Sequence, residues 1–519
     1  SLFAILFTEI RGSEPRVKGR KAMLTFNREQ LRDKIYACWV GKNIGGTMGT
    51  PYEGRQQLND IQGFVTQPGE VLPNDDLDLQ LVWLRAMDEM GPEAIDSKLL
   101  AEYWISFIGP SWNEYGLGKS NLRAGIVPPM SGELYNEEWK HSNGAWIRTE
   151  IWACTHPGCP DKAIRCAFED ACVDHGFGEG AYAAIFVAAM QSAAFVIDDL
   201  RALIDIGLSK VPETCLLARY IRATVKAYDD GMTWQDCREM LLHMNDETGL
   251  GWFQAPGNVA FTILGLLWGE CDFKKSMIIA IDCGDDTDCT GATVGSLLGI
   301  MYGMKAIPED WRRHIGDRIV TVSIINGHGY FPKSCTELTN CVLSLLGATM
   351  RTPNGDLAAH GPQFELTEGE SDFGGLTAEQ MKGGDFAASL AGRARYSFTA
   401  DNCYAHALVE FEHEPIIAAG GELRLRLTAT LRTTMADQKL FALRFYLPEG
   451  WQALGKKHVH ASMPIWSHDD VPSSLRLGHS TTEITLVAGE QVEAVNHAVI
   501  ELTVSGRPTP LLIPLTILG

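Results

Sequence analysis

The stretch Ile281–Gly303, IDCGDDTDCTGATVGSLLGIMYG, places Asp285, Asp286 and Asp288 between an apolar run (Ser276–Cys283) and a helix of small residues opening at Thr290-Gly291-Ala292. Carboxylates this close at a buried helix entrance repel one another unless something positive intervenes. A single Asp is accounted for by helix capping, because the free N–H groups and the dipole at a helix start favour it. Three together point to a hard divalent cation with oxygen ligands. A second acidic group, Asn74-Asp75-Asp76-Leu77-Asp78, follows Pro73 and opens the apolar run LQLVWLRAM, which predicts a helix. The two groups lie far apart in sequence and could supply one site from two sides.

With GGTMGTPYEG (Gly45–Gly54) ahead of them, these motifs resemble in kind and order those of the ADP-ribosylglycohydrolase family, which includes the dinitrogenase reductase-activating glycohydrolase and the eukaryotic ADP-ribosylhydrolases. In that family a Gly-rich helix ends in a Glu, a Thr-Asp-Asp-Thr motif follows, and a late Gly-Gly-Asp-Thr-Asp-Thr motif completes a two-magnesium site. The resemblance covers roughly Leu31 to Gly303. It implies metal binding by Asp75, Asp76, Asp286 and Asp288, and a catalytic role for Glu53 and Asp76, with Glu53 handling a proton or positioning the attacking water. Three positions depart from the family: Asn74 stands in place of a Thr ligand, Asp285 in place of a Gly, and Cys289 in place of a Thr ligand. Asn74 still offers a hard oxygen. A soft sulfur suits magnesium poorly, so one metal position is expected either to be rebuilt through Asp285 or to be weaker than in the family.

Length and composition set the frame. A chain of 519 residues with 45% hydrophobic content suggests two or three domains. A formal net charge of -21 argues against a nucleic-acid backbone or an anionic membrane as main partner. The 13 cysteines form no CxxC pair, and neither a signal peptide nor a run of eighteen apolar residues is seen, which fits a reducing cytoplasm. Cys154, Cys159, Cys166 and Cys172, even with His156 and His175 near them, are too widely spaced for a zinc site. Residues 1–22 read as an extension upstream of a natural start at Met23.

Between Arg28 and Gly46, apolar residues recur at helical spacing, and the far end carries Gly41, Gly45, Gly46 and Gly49. Each Gly costs a helix about 1 kcal/mol relative to Ala, so close approach of another backbone or a ligand is expected there. From Ile108 to Ile151 no regular period stands out, and so long a loop is expected to be functional. Trp112, Tyr115, Trp139 and Trp146, among Asn113, Asn121, Asn143 and Arg148, are equipment for a sugar or base and equally for anchoring the loop. Trp112, Trp146 and Arg148 are the expected substrate contacts. His175, before an all-apolar helix, resembles a family His that contacts ligand.

Helical patterns continue through Leu216–Tyr228, Trp234–His243 and Asn258–Trp268, and no G-x-S-x-G elbow supports a serine nucleophile. A Gly- and Pro-rich linker is expected over 348–372. Beyond it, Leu423, Leu425, Leu427, Ala429 and Leu431 alternate with polar residues, as a half-buried strand requires. The expected architecture is an all-α, glycohydrolase-like bundle (23–347) followed by a smaller antiparallel β-sandwich (373–519). Carbohydrate binding, cover of the active site and homo-oligomer formation are the roles open to the sandwich, with packing and oligomerisation first.

The resemblance implies hydrolysis of a glycosidic bond at a ribose-like anomeric carbon of an ADP-ribosyl conjugate, with two Mg²⁺ ions, Mn²⁺ or Ca²⁺ being the alternatives. A glycosidase for another sugar, such as a pentofuranoside or nucleoside, is the first rival. An inactive protein that binds metal or ADP-ribose is the second.

Overall fold

In the computed structural model, residues 23–325, 330–350, 363–368, 375–391, 396–431, 439–461 and 479–519 are described. The expected extension, 1–22, lies outside them. A first strand, β1 (Met23–Asn27), leads into α1 (Arg28–Gly49), where Asn27 caps the helix by accepting the Gln30 N–H. Next come α2 (Asp75–Met90), α3 (Ser97–Phe107), α4 (Asn113–Arg123), α5 (Met130–Glu133), α6 (Glu150–Thr155) and α7 (Pro160–Ala171). The chain continues through α8 (Glu179–Ala193), α9 (Leu200–Leu208), α10 (Leu216–Asp229), α11 (Trp234–Thr248), α12 (Ala255–Trp268) and α13 (Phe273–Asp282). Helices α14 (Thr287–Tyr302), α15 (Glu309–Ile315) and α16 (Cys335–Thr349) close the bundle.

The central contact is between α1 and α14, and glycine creates it. A Cβ on Gly41 would strike the carbonyl of Gly295, and one on Gly45 the carbonyl of Gly291. With no side chains between them the two backbones touch, so the end of α1 lies against the start of α14. The glycines that weaken α1 as an isolated helix are what bring the acidic entrance of α14 beside Glu53. Helix α8, apolar on every side, is buried almost throughout.

The segment expected to be a long loop contains α4, α5 and a short turn at Trp146–Arg148. Its helices were hidden because α4, NEYGLGKSNLR, has two glycines and few apolar residues. Part of the expected linker is also ordered: β2 (Gln363–Thr367) pairs in parallel with β1. Helices α17 (Ala378–Met381) and α18 (Asp385–Ala391) give Met381 and Leu390 to the helical core, so that core draws on residues beyond 373.

Among the described residues nine further strands follow: β3 (Ser397–Asp401), β4 (Ala405–Phe411), β5 (Glu422–Leu431), β6 (Lys439–Tyr446), β7 (Gln452–Gly455), β8 (His458–Ala461), β9 (His479–Val487), β10 (Val495–Val504) and β11 (Leu511–Leu518). They form one sheet in the order β11-β10-β6-β8 and another in the order β3-β4-β5-β9-β7, with antiparallel pairing throughout. Leu423, Leu425, Leu427, Ala429 and Leu431 of β5 all face the core between the sheets, as their period-two spacing requires. That core also contains Ile126, Met130 and Leu134 from the segment around α5. The thirteen cysteines are free thiols, and among the described residues no helix is long and apolar enough to cross a membrane.

Candidate active site

The start of α2, the end of α1 and the start of α14 meet at a cavity of about 500 Å³ lined by Thr50, Glu53, Asn74, Asp75, Trp112, Asn113, Glu114, Tyr115, Asn143, Phe253, Asp286, Asp288 and Cys289, among others. Asp75 and Asp76 occupy the first turn of α2, whose N-cap is Asn74, so they lie inside the helix rather than ahead of it. The junction of α1 and α14 is fixed by two backbone hydrogen bonds: Gly54 N–H donates to Asp285 O, and Asp285 N–H to Arg55 O, both at 2.8 Å.

Two trios of potential ligand atoms result, each with all atoms within 4.8 Å of one another: Asp76, Asp288 and Cys289, and Glu53, Asp286 and Asp288. Asp288 belongs to both. Burial pushes the Asp76 and Asp288 carboxyls well above the ordinary carboxylate range, and neighbouring carboxylates add to it. Asp76 Oδ2 and Asp288 Oδ1 are buried and accept no hydrogen bond among the described residues. Orphaned, mutually repelling oxygens of this kind fit a divalent cation, which would satisfy both the lone pairs and the charge. Glu53 stands at the exposed rim of the cavity. The protein packed behind it, with Asp286 and Asp75, raises its carboxyl to about 7.

Three of the ligand candidates, Asp75, Asp76 and Asp286, have a partner that orients them. Tyr115 OH donates to Asp75 Oδ2 at 2.8 Å, and Asn143 Nδ2 donates to Asp286 Oδ2 at 2.6 Å. Asn143 is itself set by the Trp146 indole, which donates to Asn143 Oδ1 at 2.9 Å. Lys42, almost completely buried, lies 3.5 Å from Asp76 Oδ2 and 3.0 Å from Glu150 Oε1. Burial alone would lower its pKa, but Glu150 and Asp76 outweigh it and raise it.

Several expected site residues have other work. Asp285 is not at the cavity: its carboxylate accepts the Phe253 N–H at 3.1 Å and the Asn258 side-chain amide at 3.0 Å. It braces the loop instead of replacing the Thr ligand, at a left-handed φ of 65°. Asn74 lines the cavity, but its Oδ1 accepts the Asp76 N–H at 2.8 Å and its Nδ2 faces Asp288 Oδ2 at 3.4 Å. It is a cap before it is a ligand. Asp78 accepts the N–H groups of Val322 and Ser323, both at 2.6 Å, and so anchors a loop. Cys289 lies beside Asp76, its Sγ donating to Asp76 Oδ1 at 3.4 Å, and burial pushes its thiol well above the ordinary range.

Of the expected substrate contacts, only Trp112 lines the cavity, 51% exposed and stacked on Tyr115 with ring centroids 6.2 Å apart. Trp146 is fully buried behind Asn143. Arg148 is fully buried, donating to Asp170, Asp174 and the Gly144 carbonyl. His175 is buried too, with Nδ1 2.8 Å from Asp174 Oδ1 and Nε2 3.2 Å from Ser142 Oγ. Tyr115 and Asn143, both named from the sequence as equipment for a sugar or base, line the cavity, while Lys42, Glu114 and Asn258 had no acidic cluster or repeat to mark them as site residues.

The helical fold with an acidic cleft at the junction of its first and fourteenth helices defines a class. A profile of the ADP-ribosylglycohydrolase family matches residues 27–354, and the chain belongs to that family. It is similar to the ADP-ribosylarginine hydrolase Tri1 of Serratia proteamaculans (strain 568), 23% identical over 319 residues that make up 58% of this chain and 80% of that protein. A protein of the same name from Pseudomonas putida (strain GB-1) is 33% identical over only 48 residues, 13% of its length. Among solved structures, an "ADP-ribosylglycohydrolase-related protein complex" aligns over 62% of this chain and 100% of its own, at 19% identity and a TM-score of 0.40.

Proposed function

We propose that the chain hydrolyses an ADP-ribosyl conjugate, breaking the bond between the anomeric carbon of a ribose and its leaving group. The observation that carries this is the convergence of two carboxylate-rich trios on a shared Asp288 at the wall of one cavity, in a chain that belongs to this family. Asp76, Asp286 and Asp288, with Glu53 and Asp75 beside them, would hold one or two divalent cations, magnesium first among them. Such a cation would bind the vicinal hydroxyls of the sugar and offset charge that develops as the bond breaks.

The remaining roles fall to the protein. Tyr115 and Asn143 hold Asp75 and Asp286 in place, so the carboxylates need not reorganise when a ligand arrives. Trp112, stacked on Tyr115 at the cavity wall, offers a flat apolar face to a base or sugar. Glu53, at the cavity wall beside Asp286 and Asp288, is placed to accept a proton from the attacking water.

One observation favours a second reading, a glycosidase for an uncharged sugar. Among the described residues lining the cavity there are several carboxylates and no Lys or Arg, and a diphosphate would find no side-chain cation there. Thermal denaturation with ADP-ribose, ribose and a panel of pentoses, each with magnesium and with chelator, separates the two, because a ligand that binds only the native state raises its stability. A magnesium-dependent shift with ADP-ribose supports the first reading. A shift confined to simple sugars sinks it.

A further inference from the structure

The cavity wall carries a further carboxyl that belongs to neither acidic trio. Glu114 lies in the first turn of α4, 6% exposed, and lines the cavity. Its seat is made by a glycine: a Cβ on Gly144 would collide with the Glu114 carboxylate. Behind it a buried polar chain leads away from the cavity. Ser142, whose Oγ donates to the Trp139 carbonyl at 2.5 Å, lies beside Glu114. Ser142 Oγ also lies 3.2 Å from His175 Nε2, and His175 Nδ1 lies 2.8 Å from Asp174 Oδ1. Asp174 in turn accepts from both terminal nitrogens of Arg148, at 2.8 and 3.1 Å.

We propose that Glu114 is the general acid of the reaction, giving its proton to the departing atom, with Ser142, His175 and Asp174 as positioning residues that hold its carboxyl toward the cavity. This rests on the glycohydrolase reading above. In the step, the bond from the anomeric carbon to the leaving atom breaks with its electron pair going to that atom, which takes the Glu114 proton. Water adds to the anomeric carbon and passes its own proton to Glu53. The products are the free sugar and the protonated leaving group, and the two carboxyls exchange their protons with solvent.

The division of labour rests on position: Glu53 belongs to a ligand trio with Asp286 and Asp288, whereas Glu114 belongs to neither trio. Burial raises Glu114 to about 7, so a large share of the molecules carry the proton at neutral pH. The groups facing it are His175 and Asp174 from the turn before α8, Ser142 from the loop after α5, and Tyr115 beside it on α4. Burial would raise Asp174 as well, but Arg148 and His175 outweigh it and hold Asp174 at about 2, so it stays ionised and fixes the imidazole. A glycosidic bond broken between two carboxyls needs one protonated and one not.

The test compares wild type and Glu114→Gln on two conjugates of one anomeric configuration. ADP-ribosylarginine has a leaving group that needs a proton, and p-nitrophenyl ADP-ribose has one that leaves without. The variant is expected to lose activity on the first by about 10²–10⁴-fold, with KM unchanged, and to keep activity on the second within about tenfold. The fall in wild-type kcat/KM above pH 7 should be seen on the first substrate, and should be absent from wild type on the second and from the variant on the first. The magnesium-dependent thermal shift with ADP-ribose should be the same for both proteins. Should the variant fold poorly, Glu114→Asp, which draws the acid back, is expected to show a smaller loss with the same substrate dependence.

Equal loss on both substrates, no loss on either, or a rise in KM alone would overturn the assignment and leave the family reading standing. Wild type that cleaves neither conjugate overturns the ADP-ribosyl reading, and the role of Glu114 with it.

Discussion

At the scale of single residues, the site is held together by partners that offset crowded charge. Asp288 belongs to both ligand trios and has a buried oxygen that accepts no hydrogen bond among the described residues, so its removal should have opposite effects with and without metal. Asp288→Asn is expected to raise Tm in chelator, by the equivalent of about 1 kcal/mol or more, and to abolish stabilisation by magnesium. A thermal melt in both conditions checks the reversal. Lys42 is a buried cation placed against both Asp76 and Glu150. Lys42→Met leaves both uncompensated and should cost about 3–5 kcal/mol, read by denaturant unfolding. Burial raises Asp78 and Asp285 to about 7, against roughly 4 in an unfolded chain. Between those values the native state binds protons that the unfolded state has released, so stability falls as pH rises through the window and the loss is complete above it. The metal-free protein should therefore melt at a lower temperature at pH 7.5 than at pH 5.5, and a rise instead would contradict the burial argument. These partners were not legible in the sequence, because a Tyr, an Asn or a Lys acquires its meaning only from the residue it faces.

At the scale of elements, the seam between α1 and α14 decides whether the site exists. Gly45→Ala would drive a methyl into the Gly291 backbone and should destabilise the protein by several kcal/mol, on the order of the costs of overpacking, while weakening magnesium binding. Gly347 in α16 provides the control, since nothing lies within 4 Å of a Cβ there. Gly347→Ala should stabilise by about 0.5–1 kcal/mol, and the pair is checked by thermal or urea unfolding with and without magnesium. The glycines of α1 announce a close approach in the sequence, and the alternation of β5 announces its buried face. The Asp285 register is a different matter. A cluster of three aspartates reads as three ligands, yet one residue's turn into left-handed backbone sends Asp285 to Phe253 and Asn258, and no one-dimensional pattern records that turn.

At the scale of the whole molecule, the segment from α4 to α5 joins the two cores. The start of α4 carries Glu114 and Tyr115 into the cavity, while Ile126, Met130 and Leu134 beyond its end lie in the core of the β-sheets. We therefore expect the sandwich to fix the cavity wall as well as add stability. Met130→Asp, a charge in a fully buried site, should cost more than about 3 kcal/mol, and the surviving folded protein should show a higher KM with kcat little changed. Steady-state kinetics beside a melting curve would show it, and unchanged KM would mean the sheets do not hold the wall. The amino-acid sequence alone determined the helical bundle, the later strands and the two acidic helix entrances, because periodicity and local charge are written into neighbouring residues. Only the tertiary structure decided which carboxylates meet, which of them are spent on caps and braces, and that Glu114 faces the same cavity, because a side chain's partner is set by packing between elements far apart in the chain.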